Sequence, residues 1–337
     1  MDEKLKSIHK DLREKDQIPV ITIDQILAKE YSTGSWLIEK LIPDQSITAI
    51  TGAPGSYKTW LTLEIAKCVS QGLTFLGQFK TEKANVLFVD KENHFRYIQD
   101  RLKKLGMQDL PIFYFSRPDD FYLDRDKDYK SLMKLVESLD IKLVIFDSLV
   151  RIHSGDENNS KDISKVMSAF RKITSKGATV IVVHHNRKEG IKTQSSTNSI
   201  RGSSDILAGL DSLLQVSNPP NEKHIGISQT KLRHDEPVKP FKVEILSDKE
   251  KNSISFTYKG DFDLNESQVG EAKESVLEIL KEGSTKTRPE LIEILSENYS
   301  ITIIDKALKE LEVLETVVKS RGARNLLSFS IKSPVGA

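Results

Sequence analysis

Several features are scarce in this sequence, and each scarcity excludes a class of protein. The single cysteine, Cys68, rules out an internal disulfide and a cysteine-rich zinc site. No apolar run approaches the roughly 18 residues that cross a bilayer, so we expect no membrane contact. The charged first 17 residues lack the apolar stretch of a signal peptide, which favours a cytoplasmic location. Basic and acidic side chains nearly cancel, 50 against 49, so net charge does not indicate a nucleic-acid partner.

The residues that are present are typical of a globular protein. With 38% hydrophobic and 29% charged residues over 337 positions, the chain can form about two domains with a sizeable core. Short, nearly continuous apolar runs alternate with helical periodicity, the pattern of parallel strands covered by helices on both faces. We therefore expect an α/β fold with a mostly parallel sheet flanked by helices. The predicted strands are 46–51, 85–90, 142–147, 179–184 and 212–216, and the predicted helices are 59–71, 95–105 and 160–175.

Changes in this pattern divide the chain into domains. The α/β core ends in a strand at 224–230 and an antiparallel hairpin of 241–245 and 253–258. A polar segment without periodicity follows and is expected to be a linker. The next residues show three helices and then a hairpin, which is the order of a winged helix. The predicted divisions are a charged arm (1–21), the core (22–258), a linker (259–270), a winged-helix-like unit (271–332) and a tail (333–337).

One loop between a predicted strand and a predicted helix has the composition of a phosphate-binding loop, or P-loop. In this position, backbone N–H groups and the positive end of the helix cradle phosphates. Lys58 would neutralise β- and γ-phosphate oxygens, and the Thr59 hydroxyl would bind Mg²⁺. Asp147, at the end of a buried strand, suits the carboxylate that holds the hydration shell of that ion. Tyr57 departs from the pattern, because glycine usually precedes the lysine.

We therefore predict that ATP and Mg²⁺ are the cofactors. A turn rich in glycine and proline with a surface lysine is the alternative interpretation of this loop. The metal ligands would be Thr59 and Asp147. The nucleotide would be held by Gly52, Ala53, Pro54, Gly55, Ser56, Tyr57, Lys58, Thr59 and Trp60.

With these residues the sequence resembles the RepA-type ATPases of plasmids and phages, members of the RecA/DnaB superfamily of hexameric motors. An aromatic residue before the P-loop lysine also occurs in some members of that family. The resemblance implies a RecA-like core that hydrolyses ATP, assembles into a homo-oligomeric ring, expected to be a hexamer, and translocates on single-stranded DNA. It covers about residues 22–258 and rests on the ordered motifs WLIEKLIPDQSITAITGAPGSYKTWLTLEIA, VLFVDKENHFRYIQDRLKKL, VIFDSLVRIHSGDENNS, VIVVHHNRK and IRGSSDILAGLDSLLQV.

The resemblance also implies roles for residues outside the loop. Glu92 matches the catalytic glutamate, which polarises the attacking water, and Asp90 is the competing candidate. One histidine of the pair His184 and His185, with His185 favoured, matches a sensor of the γ-phosphate. A packed structural pair is the alternative for these histidines, and without acidic or cysteine neighbours they would make a poor zinc site.

Two basic residues after the last core strand match groups that act across a subunit interface. By the resemblance, Lys231 and Arg233 would reach the γ-phosphate bound by a neighbouring subunit and offset charge in the transition state. The alternative is a solvated basic turn beside Asp235 and Glu236.

A polar segment from Asn186 to Ser204 (186–204) follows the predicted sensor strand. In RecA-like motors this loop lines the central pore. Its basic and hydroxyl side chains suit sequence-independent contacts with phosphates, so we predict that it contacts single-stranded DNA. A surface loop without that function would have the same composition. The basic residues of the segment are Arg187, Lys188, Lys192 and Arg201.

The C-terminal unit gives a weaker indication of its partner. Residues 271–337 contain ten basic and eleven acidic side chains, so their net charge is −1. In the predicted wing, Lys319, Arg321 and Arg324 are locally basic and suit DNA phosphates. A duplex DNA site and a protein or subunit partner are equally compatible with this composition.

Three hypotheses of function remain from the sequence. The leading hypothesis is an ATP-driven, ring-forming DNA helicase or translocase that serves replication of a plasmid, phage or other mobile element. The first alternative is a nucleotide-gated, DNA-binding initiator or regulator. A RecA-like repair ATPase without unwinding activity is the second alternative.

Overall fold

The computed structural model describes residues 22–28, 35–116, 121–185, 204–218, 223–281, 285–296, 298–321 and 327–332. The chain divides into two compact units, Met1–Ser35 and Trp36–Ala337. In the first unit the described part contains a short helix, α1 (Ile23–Leu27), whose Ile23 and Leu27 are exposed. The predicted arm (1–21) and tail (333–337) lie outside the described residues.

The second unit is built on a large, mostly parallel sheet. Between Trp36 and Asp261 the described residues of this unit form eleven strands. They are β1 (Trp36–Ile38), β2 (Ile42–Pro43), β3 (Ile47–Gly52), β4 (Asn85–Asp90), β5 (Ile112–Ser116), β6 (Ile141–Asp147), β7 (Thr179–His185), β8 (Ser212–Ser217), β9 (His224–Leu232), β10 (Phe241–Asp248) and β11 (Ser253–Asp261). β1 and β2 pair with each other, and the other nine form one sheet in the order β11-β10-β9-β8-β3-β7-β6-β4-β5. The strands from β8 to β5 in this order are parallel, and β9, β10 and β11 extend them in antiparallel fashion. The predicted α/β class is confirmed.

Helices cover both faces of the sheet, so its central strands are buried on both sides. The flanking helices are α2 (Lys58–Gln71), α3 (Phe95–Leu105), α4 (Asp126–Ser138), α5 (Ser160–Thr174) and α6 (Ser204–Gly209). In β6, Leu143 and Ile145 belong to a core shared with α2 and α3, whereas Val144 and Phe146 belong to a core shared with α4, α5 and α6. All four side chains are fully buried, which explains why the run is apolar throughout rather than alternating.

The elements that the sequence pattern does not predict include β5 and α4. β5 is the edge strand, and its aromatic residues are only partly covered, with Phe113 37% exposed. α4 begins with charged residues and has a short apolar stripe at Leu132, Met133 and Val136. Neither element therefore has the continuous apolar run or the long stripe by which the other elements are recognised.

Most of the predicted linker (259–270) is part of a strand and a helix. β11 continues to Asp261, and a helix, α7 (Leu264–Lys281), begins three residues later. The expectation of an irregular segment is wrong because Val269 and Ala272 are the first members of a buried stripe that continues with Val276 and Leu280.

The C-terminal residues form three helices and a small sheet around a core of their own. After α7 come β12 (Lys286–Thr287), α8 (Arg288–Leu295), α9 (Ile301–Val313), β13 (Val317–Arg321) and β14 (Leu327–Ile331), and the sheet order is β12-β14-β13. A capping box begins α8: the Thr287 side chain accepts from the Glu290 amide, and the Glu290 carboxylate accepts from the Thr287 amide. No helix in the described parts of the chain is both long and apolar enough to span a membrane.

Candidate active site

The carboxyl ends of neighbouring parallel strands meet at one edge of the sheet and bring most of the predicted site residues together. Gly52 of β3 is paired with His185 of β7, and Asp90 of β4 is paired with Asp147 of β6. The P-loop follows β3 at this edge. A cleft of about 350 Å³ opens there, and Lys58, Thr59, Glu92, Asp147 and His185 all line it. Of the predicted nucleotide-binding residues, those from 55 to 60 line the cleft as well.

The backbone of the P-loop has little freedom at two positions. A Cβ at Gly52 would lie 2.4 Å from the carbonyl oxygen of Val216 on β8, so only glycine fits. Tyr57 precedes α2 in the left-handed region, with φ of 64°, which explains why glycine is the usual residue there. The Tyr57 side chain packs against the core below α2, so a tyrosine at this position is compatible with the turn.

Lys58 and Ser56 supply polar groups inside the loop. The Lys58 ammonium donates to the carbonyl oxygens of Gly52 (3.0 Å) and Ala53 (2.6 Å). Burial lowers the pKa of Lys58 to about 8, and the nearby carboxylates of Asp147 and Glu92 oppose that effect. The Ser56 hydroxyl is buried and has no hydrogen-bond partner among the described residues. A buried, unsatisfied hydroxyl and an ammonium that line the same cleft are suited to an oxygen-rich anion.

The two predicted metal ligands are in direct contact. Thr59 Oγ1 donates to Asp147 Oδ2 at 2.7 Å. Asp147 is 1% exposed, and this burial is the main reason why its pKa rises to about 7. The Thr59 hydrogen bond opposes the rise, and the carboxylates of Asp90 and Glu92 add to it. A hydroxyl and a buried carboxylate surrounded by negative charge fit a hard cation such as Mg²⁺.

The geometry distinguishes Glu92 from the competing Asp90. Asp90 is 1% exposed and accepts hydrogen bonds from the amides of Glu92 (2.8 Å) and Asn93 (2.9 Å) and from the Tyr114 hydroxyl. Its oxygens are thus engaged inside the protein, whereas the Glu92 side chain is 35% exposed and lines the cleft. This arrangement favours Glu92 as the carboxylate that meets a reacting group.

Glu92 in turn contacts His185. The distance from His185 Nε2 to Glu92 Oε1 is 3.6 Å. This contact is the largest cause that lowers the pKa of Glu92 to about 2; Ser148 and Arg151 lower it further, and partial burial opposes them. Glu92 is therefore ionised at neutral pH. His184 is fully buried in the sheet, so the member of the pair that faces the cleft is His185.

Sequence reasoning missed one cation in the cleft, Arg101 on α3. Its guanidinium donates to Asn93 Oδ1 at 3.2 Å and lies 5.5 Å from the centre of the Trp60 ring, within cation–π range. The motif that contains Glu92 also contains Arg101, but helical periodicity alone assigns Arg101 to an exposed face. Only the packing of α3 against α2 brings it to Trp60.

The structure does not bring Lys231 and Arg233 to this cleft. Lys231 pairs with Leu213 near the start of β8, at the edge of the sheet opposite the P-loop. Its ammonium donates to the Leu207 carbonyl oxygen (2.6 Å). Arg233 donates to Asp211 at 3.0 Å, and Arg171 forms a second ion pair with the same carboxylate. Within their own chain both residues therefore have structural partners.

The predicted DNA-contacting segment (186–204) lies outside the described residues except for Ser204, the first residue of α6. In the sequence, the segment begins directly after His185, the last residue of β7. Arg324 of the predicted wing also lies outside the described residues.

Comparison with known proteins identifies one family. The family model AAA_25, described as an AAA domain, matches residues 12–190, which is more than half of the chain. The matched stretch contains the P-loop, Glu92, Asp147 and His185, and it ends before Lys231, Arg233 and the C-terminal helices. No curated protein matches the chain.

Proposed function

The chain belongs to the AAA_25 family of AAA domains and is a nucleotide-hydrolysing P-loop ATPase, and from this premise we propose that it is a ring-forming motor that moves on single-stranded DNA. The observation that carries the proposal is the contact between Glu92 and His185 at the mouth of the cleft. It links the carboxylate that we propose to orient the attacking water to the end of β7, after which a basic segment follows in the sequence.

The residues of the cleft fit ATP with Mg²⁺. The amides of the P-loop, the Ser56 hydroxyl and the Lys58 ammonium would hold the phosphates, and Thr59 and Asp147 would hold the metal. When bound, Mg²⁺ would supply positive charge that offsets the negative charge of the phosphates. Lys58 adds a second positive charge from the protein, and the carbonyls of Gly52 and Ala53 hold it in place.

Glu92 acts on the attacking water. Because its pKa is about 2, this carboxylate is a weak base and works mainly by accepting a hydrogen bond and orienting the water in line with the γ-phosphate. Phosphoryl transfer depends chiefly on such positioning and on charge neutralisation. The low pKa ensures that the acceptor is present throughout the physiological pH range.

His185 couples the chemistry to movement. Loss of the γ-phosphate would change the charge beside Glu92, and His185, whose Nε2 lies 3.6 Å from the Glu92 carboxylate, would respond to that change. The next residues, from Asn186 onward, carry four basic side chains suited to phosphates of a single strand. A displacement of His185 is thus passed along the chain to the DNA contact.

The location of Lys231 and Arg233 supports the proposal of a ring. A ring forms when two different surfaces of each subunit meet head to tail. The P-loop lies at one edge of the sheet, and the Lys-x-Arg pair lies at the opposite edge, where a neighbouring cleft would meet it in such an assembly. In this proposal Arg233 exchanges Asp211 for the neighbour's γ-phosphate during the cycle.

The C-terminal residues support a second candidate function. Their order of helix, strand, helix, helix, strand, strand around a separate core supports the winged-helix proposal. A winged helix that binds a duplex site would make the protein a nucleotide-gated initiator or regulator. The balanced charge of these residues argues against this candidate as the main role.

One experiment separates the two candidates. ATP turnover is measured with and without single-stranded DNA, and native mass is measured in the presence of ATP. The motor requires stimulated turnover, a multiple of the chain mass, and loss of turnover in Lys58→Ala but not in Lys103→Ala, an exposed lysine of α3 outside the cleft. Unstimulated turnover by a monomer would refute the motor, and protection of a specific duplex without strand separation would support the regulator.

A further inference from the structure

The buried carboxylate of Asp90 is bound almost entirely by its own loop. Oδ1 accepts from two consecutive amides, those of Glu92 (2.8 Å) and Asn93 (2.9 Å). The Asn93 side chain also donates to Oδ2 at 3.1 Å. No lysine or arginine of the described chain forms an ion pair with Asp90. A buried carboxylate that accepts several amide hydrogen bonds fixes the backbone that donates them.

The backbone that Asp90 fixes is the part of the chain that carries Glu92. Glu92 lies in the connection between β4 and α3, where no ladder of hydrogen bonds holds the residues in place. The Lys91 amide donates to the Asp147 carbonyl oxygen at 2.9 Å, which secures the beginning of this connection. From Glu92 onward, the backbone is held by the hydrogen bonds that the Glu92 and Asn93 amides donate to Asp90 Oδ1. These bonds therefore set the direction in which the Glu92 side chain points.

Tyr114 holds the Asp90 carboxylate from the neighbouring strand. Its hydroxyl donates to Asp90 Oδ2. The ring is stacked on Phe88, with centroids 5.6 Å apart and planes at 9°, and Phe95 meets its edge. These contacts leave the hydroxyl little freedom. Burial and the contact with Asp90 raise the pKa of Tyr114, so the hydroxyl remains a donor.

We propose that Tyr114 and Asp90 are positioning residues for ATP hydrolysis: Tyr114 orients the Asp90 carboxylate, and Asp90 holds the backbone that aims Glu92 into the cleft. The inference rests on the proposed ATP hydrolysis and on Glu92 as the residue that orients water. Neither Tyr114 nor Asp90 lines the cleft, so neither is expected to touch the nucleotide.

The test is Tyr114→Phe, which keeps the stacked ring and removes only the hydroxyl. We expect kcat for ATP to fall about 10-fold or more, the range for losing a hydrogen bond to a charged group. The KM for ATP and the Kd of a non-hydrolysable ATP analogue should stay within about twofold, because the P-loop is untouched. The matched control is Tyr299→Phe, which removes a buried hydroxyl bonded to Ser275 in the C-terminal core and should leave kcat unchanged.

A second pair of variants separates positioning from a merely structural role. In a Glu92→Gln background, Tyr114→Phe should cause no further loss of kcat, because its effect passes through the Glu92 carboxylate. Asp90→Asn keeps an acceptor for the two amides and should retain more activity than Asp90→Ala. If Tyr114→Phe does not fold, this Asn-against-Ala comparison tests the same claim.

The outcomes are distinguishable. Absence of ATP turnover in the unmodified protein would contradict the proposed function itself. Turnover in the unmodified protein with an unchanged kcat in Tyr114→Phe, or with a raised KM at the same kcat, would overturn the inference. An equal further loss in the Glu92→Gln background would also overturn it, since the effect would then be independent of Glu92.

Discussion

Glu271 on α7 is expected to destabilise the C-terminal core when it is ionised. Its Oε2 has no hydrogen-bond partner in the part of the chain that the structure describes, and burial raises its pKa to about 7 from an ordinary value of 4.5. The hydrogen-bonded pair of Ser275 and Tyr299 lies nearby and offers no positive charge. Replacing Glu271 with glutamine removes the charge and keeps the shape of the side chain.

The sign and the magnitude of the effect of Glu271 on the free energy of unfolding follow from proton linkage. Below pH 4.5 the carboxyl is protonated in both the folded and the unfolded chain, so it does not lower the free energy of unfolding. Between pH 4.5 and pH 7 the folded state retains a proton that the unfolded state has lost, and stability decreases as pH rises. Above pH 7 the penalty is complete, at most about 3 kcal/mol, from about 1.4 kcal/mol for each tenfold change in proton affinity. Glu271→Gln should therefore match the unmodified protein at pH 4 and exceed it at pH 8.

Hydrogen exchange of the most protected amides of α7 and α9 measures this effect where it arises. Comparing the two proteins at the same pH cancels the intrinsic pH dependence of exchange, and we expect exchange in Glu271→Gln to be up to about 100-fold slower at pH 8. Glu278→Gln is the matched control, because Glu278 is exposed on the same helix. Equal exchange in Glu271→Gln and the unmodified protein at pH 8 would show that the carboxylate is not ionised at a cost, and the reasoning would be refuted.

Three further results are expected at the cleft and the proposed interface. Asp147→Asn should raise the melting temperature without ligand, by removing a buried charge, and should abolish the further rise that ATP with Mg²⁺ produces; thermal unfolding with and without both ligands tests this. Gly52→Ala should weaken ATP binding at least 10-fold in a titration, since its Cβ would meet the Val216 carbonyl oxygen at 2.4 Å; unchanged affinity would mean that the loop can shift without consequence. Mixing Arg233→Ala subunits with Glu92→Gln subunits, each of which has strongly reduced activity alone, should restore part of the ATPase activity if sites are completed across an interface, and no recovery at any ratio would contradict a shared site.

Some of this site could be predicted from the sequence because topology fixes it. Thr59 and Asp147 lie far apart in the sequence, yet their contact follows once both are placed at the carboxyl ends of parallel strands, where all such ends share an edge. The same rule brings His185 to the cleft. The hydrophobic runs that predict β3, β6 and β7 are unambiguous because these strands are buried on both faces.

Other parts depend on contacts that leave no pattern in the sequence. Asp90 and Glu92 are both acidic residues after the same strand, and only the direction of each side chain separates the one that caps the loop from the one that faces the cleft. That direction depends on Tyr114 in β5, an edge strand that the sequence pattern does not predict. The stacking of Arg101 on Trp60 likewise requires the packing of two helices.

The pKa values of the two cleft carboxylates, Asp147 and Glu92, are shifted in opposite directions, and this difference decides which task each carboxylate can perform. Burial raises the pKa of Asp147 to about 7, whereas contacts with His185, Ser148 and Arg151 lower that of Glu92 to about 2. The buried carboxylate is therefore costly to ionise unless a cation joins it, and the other is always available to accept a hydrogen bond. Each of these groups also alters the pKa of the next: Asp147 and Glu92 raise that of Lys58, and Glu92 raises that of Asp147. Neutralising any one of them changes the others, so the effects of single substitutions in this cleft are not expected to add, and only double-mutant cycles can apportion them.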